Sequence, residues 1–418
     1  MKKRIAVIGS GISGLTAAWL LSRNHEVVVF EAEPRVGGHT YTVDVPRDEG
    51  TLRVDMGFIV FNDRTYPNFN RLLAQLGIGQ QKTSMGFAVS DRRTGLEYCG
   101  DGIGGVFAQW RNWLSLSHWR MVRDILRFNR EALSLLETDS GDIPLARYLR
   151  DNGYSERFLT HYILPMGGAI WSCSDAQMEN FPARFFVRFF HHHGLLSLKN
   201  RPQWFVIPGG SRSYVDALLA KCPASLRCAS AVTSVTREGE RVRVVAGVDS
   251  ELFDEVVLAC HADQSLALLK DADVQEQALL SSVPYQANDV VLHTDATLLP
   301  RNPRCWSSWN ATLMPGARSE DPVQVTYNMN ILQGLDTEET WCVTLNAREQ
   351  IAADKVHHQL TLFHPVFTPD GIALRDKLAS SVNGRRKVWF CGAWMRNGFH
   401  EDGVVSALNV AAGFGETL

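Results

Sequence analysis

The sequence predicts an α/β fold built around a Rossmann-like βαβ unit. Three observations lead to this prediction. A buried strand near the N-terminus runs directly into a glycine-rich turn, a second strand ends in an acidic residue, and a strand close to the C-terminus is followed by a helix of small and apolar residues. Strands that alternate with helices are typical of a mostly parallel sheet.

The N-terminal unit occupies the first 31 residues. Residues 4–8 (RIAVI) are typical of a buried strand, residues 15–21 (LTAAWLL) continue as a helix, and residues 27–31 (VVVFE) form the second strand. The turn between the first strand and the helix is a G-x-G-x-x-G motif in its full βαβ context. It consists of Gly9, Ser10, Gly11, Ile12, Ser13 and Gly14.

Each part of this motif has a physical role in holding a dinucleotide. Gly9 permits the tight turn, Gly11 lets the backbone approach a pyrophosphate, and Gly14 lets the helix pack closely on the strand. The helix N-terminus offers free N–H groups to the phosphates. Glu31 is placed to accept hydrogen bonds from an adenosine ribose. The alternative interpretation is a glycine-rich turn without a ligand.

Later segments predict further strands and a closing helix. Residues 231–235, 241–245 and 255–260 are predicted strands, as are residues 387–391. Gly392 follows the last of these, and a helix is predicted from Val404 onward. A helix N-terminus near a cofactor would stabilise negative charge on it.

Composition excludes several classes of protein. The 418 residues allow two or three domains. With 42 Lys and Arg against 45 Asp and Glu, the net charge of −3 argues against a protein that binds nucleic acid through phosphate contacts. The eight cysteines form no CxxC pair, which argues against a zinc ribbon and favours a reducing compartment. Neither a signal peptide nor a membrane span is recognisable, so we expect a cytoplasmic protein.

Beyond these arguments, the chain resembles a flavoprotein superfamily. Residues 35–40 (RVGGHT) place a second double glycine just after Glu31, as in the amine oxidases, protoporphyrinogen oxidases and phytoene desaturases. The resemblance implies FAD as cofactor and places Glu31, Ala32, Gly37, Gly38 and His39 against it. His39 stands where the family usually has Arg, which argues against a cationic contact there at neutral pH.

The same resemblance assigns the remaining cofactor residues and the domains. Gly57, Phe58 and Ile59 would lie beside the isoalloxazine ring, and further contacts would come from Val232, Cys260, Gly392, Glu401, Asp402, Gly403 and Val404. The FAD-binding domain would be discontinuous, comprising residues 1–80, 205–265 and 380–418. An α+β substrate domain, residues 81–204 and 266–379, would be inserted into it.

Within the superfamily, the chain is most similar to bacterial oxidoreductases encoded beside cyclopropane fatty acid synthase-like methyltransferases. Residues 164–172 (LPMGGAIWS) and 398–403 (GFHEDG) are among the segments that carry this resemblance. It implies dehydrogenation, that is desaturation, of an apolar substrate such as a lipid acyl chain, by hydride transfer to flavin N5. His400 and Glu401 are the candidates for a catalytic base, with structural roles as the alternative. Phe399 falls where amine oxidases place an aromatic ring against the flavin.

Three alternatives stay open. An amine oxidase is disfavoured because the family commonly holds a Lys near flavin N5, and residues 285–294 (YQANDVVLHT) contain none. A redox-neutral FAD-dependent isomerase would convert its substrate without consuming an electron acceptor. A binding module would hold FAD without reacting.

The predicted substrate domain carries two aromatic and basic segments. Residues 117–137 have a helical pattern with Trp119 and a row of arginines, which is typical either of a helix at a membrane interface or of a solvated helix. Residues 184–193 (RFFVRFFHHH) would line an apolar substrate tunnel or form ordinary core. The three adjacent histidines do not share a helix face, so we assign no metal. The expected partners are a small-molecule or lipid substrate and, as an open alternative, the inner membrane surface; we assign no oligomeric state.

Overall fold

A computed structural model describes residues 2–48, 50–137 and 143–418. Within this part of the chain the strands form five sheets. The sheet that organises the molecule is parallel and has five strands. In spatial order they are Ser225–Arg227, Glu26–Phe30, Arg4–Ile8, Glu255–Leu258 and Val388–Phe390.

Both faces of the parallel sheet are buried, which explains why its strands are almost continuously apolar. Ile5 and Val7 face the first helix (Ile12–Leu21) and the last helix (His400–Ala412). Ala6 and Ile8 face the opposite way, toward Val244 and Phe253. Those two side chains belong to an antiparallel sheet of Val232–Glu238, Arg241–Ala246 and Asp249–Phe253.

A second large sheet has seven strands and is mostly antiparallel. Its strands, in spatial order, are Val356–Pro365, Tyr285–His293, Cys342–Leu345, Gln324–Asn328, Trp309–Leu313, Phe87–Asp91 and Leu96–Cys99. Two smaller sheets pair Thr42–Arg47 with Gly50–Asp55, and Val60–Asn62 and Gln81–Thr83 with Trp204–Val206.

The helices surround these sheets. Those of seven or more residues are Ile12–Leu21, Pro67–Leu76, Leu116–Glu131, Leu145–Asp151, Leu164–Trp171, Ala183–His192, Arg212–Lys221, Ala262–Leu268, Val274–Ser281, Pro369–Val382 and His400–Ala412. Shorter helices are Gly102–Val106, Trp110–Leu114, Glu156–Phe158, Asp175–Glu179 and Met329–Leu332. No helix in the described residues is both long and apolar enough to cross a membrane.

The strands of the two large sheets fall into the two domains that the sequence predicts. Every strand of the parallel sheet lies in residues 1–80, 205–265 or 380–418, and every strand of the seven-stranded sheet lies in residues 81–204 or 266–379. The domain boundaries themselves stay a prediction. The fold is a mixed α/β architecture with a Rossmann-like parallel sheet, as the sequence predicts.

Candidate functional site

Four of the predicted cofactor residues come together at one edge of the parallel sheet. Gly9, Glu31, Cys260 and Gly392 each follow the carboxyl end of a strand, and neighbouring strands place these ends side by side. The Gly9 amide donates to the Phe30 carbonyl at 2.8 Å. Ligands of open parallel sheets bind at this edge.

The three glycines of the first motif have different structural roles. Gly9 has a φ of +104°, and a Cβ there would lie 2.9 Å from the Ala259 carbonyl oxygen. A Cβ on Gly14 would lie only 2.0 Å from the carbonyl oxygen of Gly9. A Cβ on Gly11 would meet nothing within 4 Å. The fold therefore requires Gly9 and Gly14, whereas Gly11 keeps its surface free for an approaching ligand.

Glu31 is held in place by the same loop. Its carboxylate accepts hydrogen bonds from the Ser10 amide at 2.9 Å, the Ser10 hydroxyl at 2.5 Å and the Glu33 amide at 2.9 Å. Ala32 beside it is exposed. The Ser230 amide donates to the Glu31 carbonyl at 2.8 Å, and Val232 begins a strand two residues later. Glu31 and Val232 thus lie in adjoining segments, as expected for the adenosine end of a dinucleotide.

The second double glycine packs on the first motif. The Gly37 amide donates to the Ser10 carbonyl at 3.0 Å, and a Cβ on Gly38 would lie 3.0 Å from Gly11 Cα. Both Gly37 and Gly38 have positive φ, which favours glycine. The two glycine-rich segments, residues 9–14 and 37–38, therefore form one narrow backbone groove, here called the cradle. Additional side-chain atoms would fill it.

His39 is neutral at neutral pH. Its Nε2–H donates to the Phe363 carbonyl at 3.0 Å, because a carbonyl can only accept. Burial, followed by the nearby His261, lowers the pKa of His39 to about 4. A neutral ring at this position is consistent with the prediction that His39 makes no cationic contact to a cofactor.

The segment Gly57–Ile59 is fixed to the same cradle. The Phe58 amide donates to the His39 carbonyl at 2.8 Å, and a Cβ on Gly57 would lie 1.9 Å from that oxygen. Ile59 is buried. The close approach of the two backbones leaves no room for a side chain at position 57.

The first and last helices meet at their N-termini. The last helix begins at His400, four residues before the predicted start at Val404. A Cβ on Gly403 would lie 2.7 Å from Ile12 Cγ2 and 2.9 Å from Ser13 Oγ. Two helix N-termini side by side concentrate partial positive charge, which fits a pyrophosphate.

The neighbouring residues secure this junction. The Asp402 carboxylate accepts a hydrogen bond from the Phe399 amide at 2.9 Å, and burial raises its pKa to about 6. The Gly392 amide donates to Ser406 Oγ at 2.9 Å, and Val404 is fully buried. The Cys260 carbonyl accepts from Trp394 Nε1 at 3.3 Å. These bonds tie the last strand and the last helix to the sheet edge.

His400 and Glu401 are occupied by structural contacts. The His400 ring stacks on Phe58 with 3.5 Å between centroids, and its Nε2 lies 3.0 Å from the Tyr214 hydroxyl and 3.2 Å from Thr40 Oγ1. Burial lowers the pKa of His400 well below its usual value. These contacts favour a positioning role for His400.

Glu401 caps another helix. Its carboxylate accepts hydrogen bonds from the Asn68 amide at 3.1 Å and the Phe69 amide at 2.9 Å, at the start of the helix Pro67–Leu76. The Asn68 side chain donates a third bond at 2.6 Å. Free N–H groups at a helix start need such acceptors. The geometry therefore favours a structural role for Glu401 over that of a catalytic base or a cofactor ligand.

Asp55 is a buried carboxylate that the sequence did not single out, and its hydrogen bonds support the chain next to the cradle. Asp55 accepts hydrogen bonds from the Ser211 amide at 2.9 Å, the Ser211 hydroxyl at 2.8 Å and Thr42 Oγ1 at 2.5 Å. Burial raises its pKa to about 6. The bonds join the hairpin 42–55 to the helix Arg212–Lys221. Ser211 closes a Pro-Gly-Gly-Ser turn at residues 208–211, which is a recognisable signal in the sequence.

Next to the last helix lies a group of touching rings, here called the aromatic cluster. Phe399 stacks on Phe189 with centroids 5.0 Å apart, and Phe189 stacks on His193 at 3.8 Å. The full cluster is Trp171, Phe181, Phe185, Phe189, His193, Phe367 and Phe399. Residues Phe185, Phe189 and His193 share a face of one helix at i, i+4 and i+8, a spacing that the sequence contained.

The four phenylalanines of the helix Ala183–His192 belong to one buried core but stack on different rings. Phe185 and Phe189 belong to the aromatic cluster. Phe186 and Phe190 stack on each other at 4.0 Å and are almost completely buried, in a core that includes Phe128. The structure therefore confirms the core interpretation of this segment, and a substrate tunnel beside Phe185 and Phe189 stays a prediction.

These features define a Rossmann-type dinucleotide-binding protein with an aromatic cluster beside the cofactor edge. A family model described as flavin containing amine oxidoreductase matches residues 12–413, so the chain belongs to that enzyme family. FAD is the cofactor of the family. The assignment confirms the predicted superfamily, the oxidoreductase class and the cofactor.

Individual relatives match shorter stretches. Flavin-containing amine oxidase A of Bos taurus is 44% identical over 82 residues, which are 19% of this chain and 15% of that protein. Carotenoid phi-ring synthase of Chlorobaculum tepidum is 29% identical over 212 residues, 46% of this chain and 31% of that protein. The match thus spans less than a third of each of these relatives.

A solved structure shows the same fold along the whole chain. The CLA-producing fatty acid isomerase from P. acnes superposes with a TM-score of 0.71 at 17% identity, and the match covers 99% of this chain and 98% of that one. At this identity the likeness establishes the fold alone.

Proposed function

We propose that this protein is an FAD-dependent oxidoreductase that dehydrogenates an apolar substrate, with a lipid acyl chain as the substrate class. The observation that carries the proposal is the aromatic cluster, which lies directly against the start of the last helix through Phe399. Aromatic rings bury large apolar areas and give a hydrocarbon chain a well-defined wall.

The cofactor assignment follows from the cradle. Gly11 offers open backbone, and the contacting N-termini of the first and last helices offer N–H groups to a pyrophosphate. We propose that Glu31 and Val232 hold the adenosine end and that Gly57, Phe58, Ile59 and Gly403 lie toward the flavin. Bound flavin supplies a hydride acceptor.

His193 is our candidate for the proton acceptor. Its Nδ1–H donates to the Phe189 carbonyl at 3.0 Å, which fixes the tautomer and leaves Nε2 as an acceptor. Burial lowers the pKa of His193 to about 4, so the ring is neutral at pH 7. Removing a hydride and a proton from adjacent carbons leaves a carbon–carbon double bond. Bound flavin would supply the hydride acceptor, and His193 Nε2 would accept the proton.

The aromatic cluster is suited to an apolar substrate, and the argument against an amine comes from a neighbouring strand. Phe185, Phe189 and Phe367 are each less than a tenth exposed and contact other rings. Arg375 approaches Phe367 at 5.7 Å, but its guanidinium is bound to Asp376 and to backbone carbonyls. The strand Tyr285–His293 contains no Lys, consistent with the argument against an amine oxidase.

A second candidate is a redox-neutral isomerisation of an acyl chain. The whole-chain likeness to a fatty acid isomerase favours keeping it, because the same cofactor and the same apolar wall would serve both reactions. An isomerase would return the electrons to the substrate within one turnover. The two reactions therefore differ in whether flavin reduction accumulates.

The test is an anaerobic titration of the purified FAD-loaded protein, followed by absorbance of the oxidised flavin. Phospholipids with straight, methyl-branched or cyclopropane acyl chains form one series and primary amines the other. We expect lipids to bleach the flavin and to yield a desaturated chain. Product without bleaching would identify an isomerase, and bleaching by amines alone would refute the proposal. Binding of FAD with no reaction in either series would indicate a binding module.

Two variants connect the reaction to the aromatic cluster. Phe189→Ala opens the wall and should raise the KM for long acyl chains, whereas Phe190→Leu, at a ring that stacks on Phe186 away from Phe399, should leave it unchanged. His193→Asn should lower kcat with little change in KM, and loss of a pH-dependent limb below pH 5 would accompany it. Equal effects of Phe189→Ala and Phe190→Leu would argue against this wall.

A further inference from the structure

One stretch of the surface is unusually apolar. Of the 13 large hydrophobic side chains that are exposed in the described residues, seven lie between positions 103 and 126. They are Ile103, Trp110, Trp113, Leu114, Leu116, Trp119 and Leu126. Exposed apolar side chains concentrated in this way mark an interaction surface. We call this surface the tryptophan face.

The tryptophan face is a fixed structure. The buried ring of Phe107 stacks on Trp113 at 4.3 Å and contacts Trp119 at 4.5 Å. Trp119 Nε1 donates to the Trp113 carbonyl at 2.9 Å. Leu114 and Leu116 project from the turn between two helices and are 76% and 87% exposed. The side chains are therefore held outward by their own scaffold.

The helix Leu116–Glu131 separates its inner and outer surfaces cleanly. His118, Met121, Asp124 and Phe128 are buried at intervals of three and four residues. The opposite face carries Leu116, Trp119, Arg120, Arg123 and Leu126, all exposed. A helix with tryptophan, leucine and arginine on one outward face fits the polar–apolar boundary of a bilayer.

The arginines give the face its charge. Arg111, Arg120 and Arg123 are exposed, and none forms an ion pair with an acid in the part of the chain that the structure describes. Arg127 and Arg130, in contrast, contact Glu131. Unpaired arginines beside apolar side chains suit a surface of anionic headgroups. A second copy of the chain fits less well, because a two-fold contact would bring the same arginines together.

We propose that the tryptophan face docks the protein on an anionic lipid bilayer, with Leu114 and Leu116 entering the acyl region. The inner side of this helix leads toward the aromatic cluster. Phe128 lies 6.4 Å from Phe186, on the core face of the helix whose other face carries Phe185 and Phe189. The evidence for docking is the exposed surface itself. The docking proposal therefore does not depend on which reaction the cofactor performs.

The experiment is cosedimentation of the FAD-loaded protein with vesicles. One set contains phosphatidylglycerol and phosphatidylcholine, and the other contains phosphatidylcholine alone. We expect binding to the anionic vesicles that weakens with added salt. Leu114→Glu with Leu116→Glu should lower the partition coefficient by at least about tenfold, and Arg120→Glu with Arg123→Glu should do the same. The matched control is Val248→Glu with Val274→Glu, which alters two exposed apolar residues elsewhere.

The outcomes separate lipid docking from its rivals. Unchanged FAD binding and far-UV circular dichroism show that each variant is folded. Binding to neither vesicle set, or equal binding of wild type and the double Leu variant, would overturn the proposal. So would a sedimentation mass of two chains that the same variant reduces to one, because the face would then belong to a second copy.

Discussion

The sharpest prediction concerns Gly11 and Gly14, the second and third glycines of the N-terminal motif. Gly11→Ala should leave the fold intact and weaken FAD binding, whereas Gly14→Ala should damage the fold itself. The reason lies in the surroundings of each missing Cβ. At Gly11 it would meet nothing within 4 Å, while at Gly14 it would lie 2.0 Å from the Gly9 carbonyl oxygen.

The expected sizes follow from these distances. The backbone of Gly11 has φ −68° and ψ −179°, which alanine adopts without strain. The free energy of unfolding of the FAD-free protein should therefore change by less than about 1 kcal/mol. At Gly14 the helix must shift by more than about 1 Å, and overpacking of this kind costs roughly 3 kcal/mol or more.

Gly11→Ala should instead lower the affinity for FAD. The alanine methyl group at position 11 would stand where the pyrophosphate must approach the backbone, so the dissociation constant should rise at least about tenfold, equivalent to about 1.4 kcal/mol. Urea unfolding of the FAD-free proteins gives the stabilities, and quenching of flavin fluorescence on titration gives the affinities. Gly104→Ala is the matched control, because its Cβ would also meet nothing within 4 Å, far from the cradle.

Two results would refute this reasoning. If Gly11→Ala bound FAD as tightly as the wild type, the phosphates would not pass over this loop. If Gly11→Ala unfolded as readily as Gly14→Ala, the open space at position 11 would have no bearing on the fold. Either result would remove the main physical support for the cradle.

Three further predictions concern the carboxylates around the site. Glu401→Ala should lower the free energy of unfolding, measured in urea, by about 2 kcal/mol because the helix Pro67–Leu76 loses its cap. Glu401→Gln keeps an acceptor oxygen and should lose less stability. An abolished turnover with unchanged stability would instead make Glu401 catalytic. Glu31→Gln should weaken FAD binding about tenfold but leave FMN binding unchanged, since FMN lacks the adenosine ribose. Equal losses of affinity for both would contradict the assignment of Glu31 to that ribose. Burial raises the pKa of Asp55 to about 6, above its value in the unfolded chain. Its contribution to stability is therefore complete below about pH 4 and is lost as the pH rises through 6, by up to about 3 kcal/mol. Asp55→Asn should remove this dependence, and urea midpoints that vary with pH as in the wild type would exclude Asp55 as the source.

The N-terminal βαβ unit could be predicted from the sequence because its information is local. Strand, glycine motif, helix, second strand and Glu31 follow one another within 31 residues. Gly9 and Gly14 are each required by a close contact within this unit or beside the neighbouring strand. The apolar run of residues 4–8 also predicted correctly a buried strand. A family resemblance then extended the prediction to FAD, which the family assignment confirms.

The roles of His400 and Glu401 depended on partners far away in the chain. Both lie in the segment 398–403, which the family resemblance places near the flavin, and this made them candidates for a catalytic base. The carboxylate of Glu401 instead meets Asn68, 333 positions away, and His400 meets Phe58 and Tyr214. Hydrogen-bond partners at such separations leave no periodic signal in the sequence, so the pattern could not distinguish a catalytic base from a helix cap.

The sequence by itself therefore determined the cofactor unit of this protein, and the tertiary structure decided what surrounds it. The pattern of residues 184–193 showed an aromatic segment, but only packing divided Phe185 and Phe189 from Phe186 and Phe190. Likewise, the arginine row of residues 117–137 became an outward face only because His118, Met121 and Phe128 turned inward. The physical reason is the same in both cases: local pattern sets a helix and its two faces, and long-range contacts choose which face meets the core.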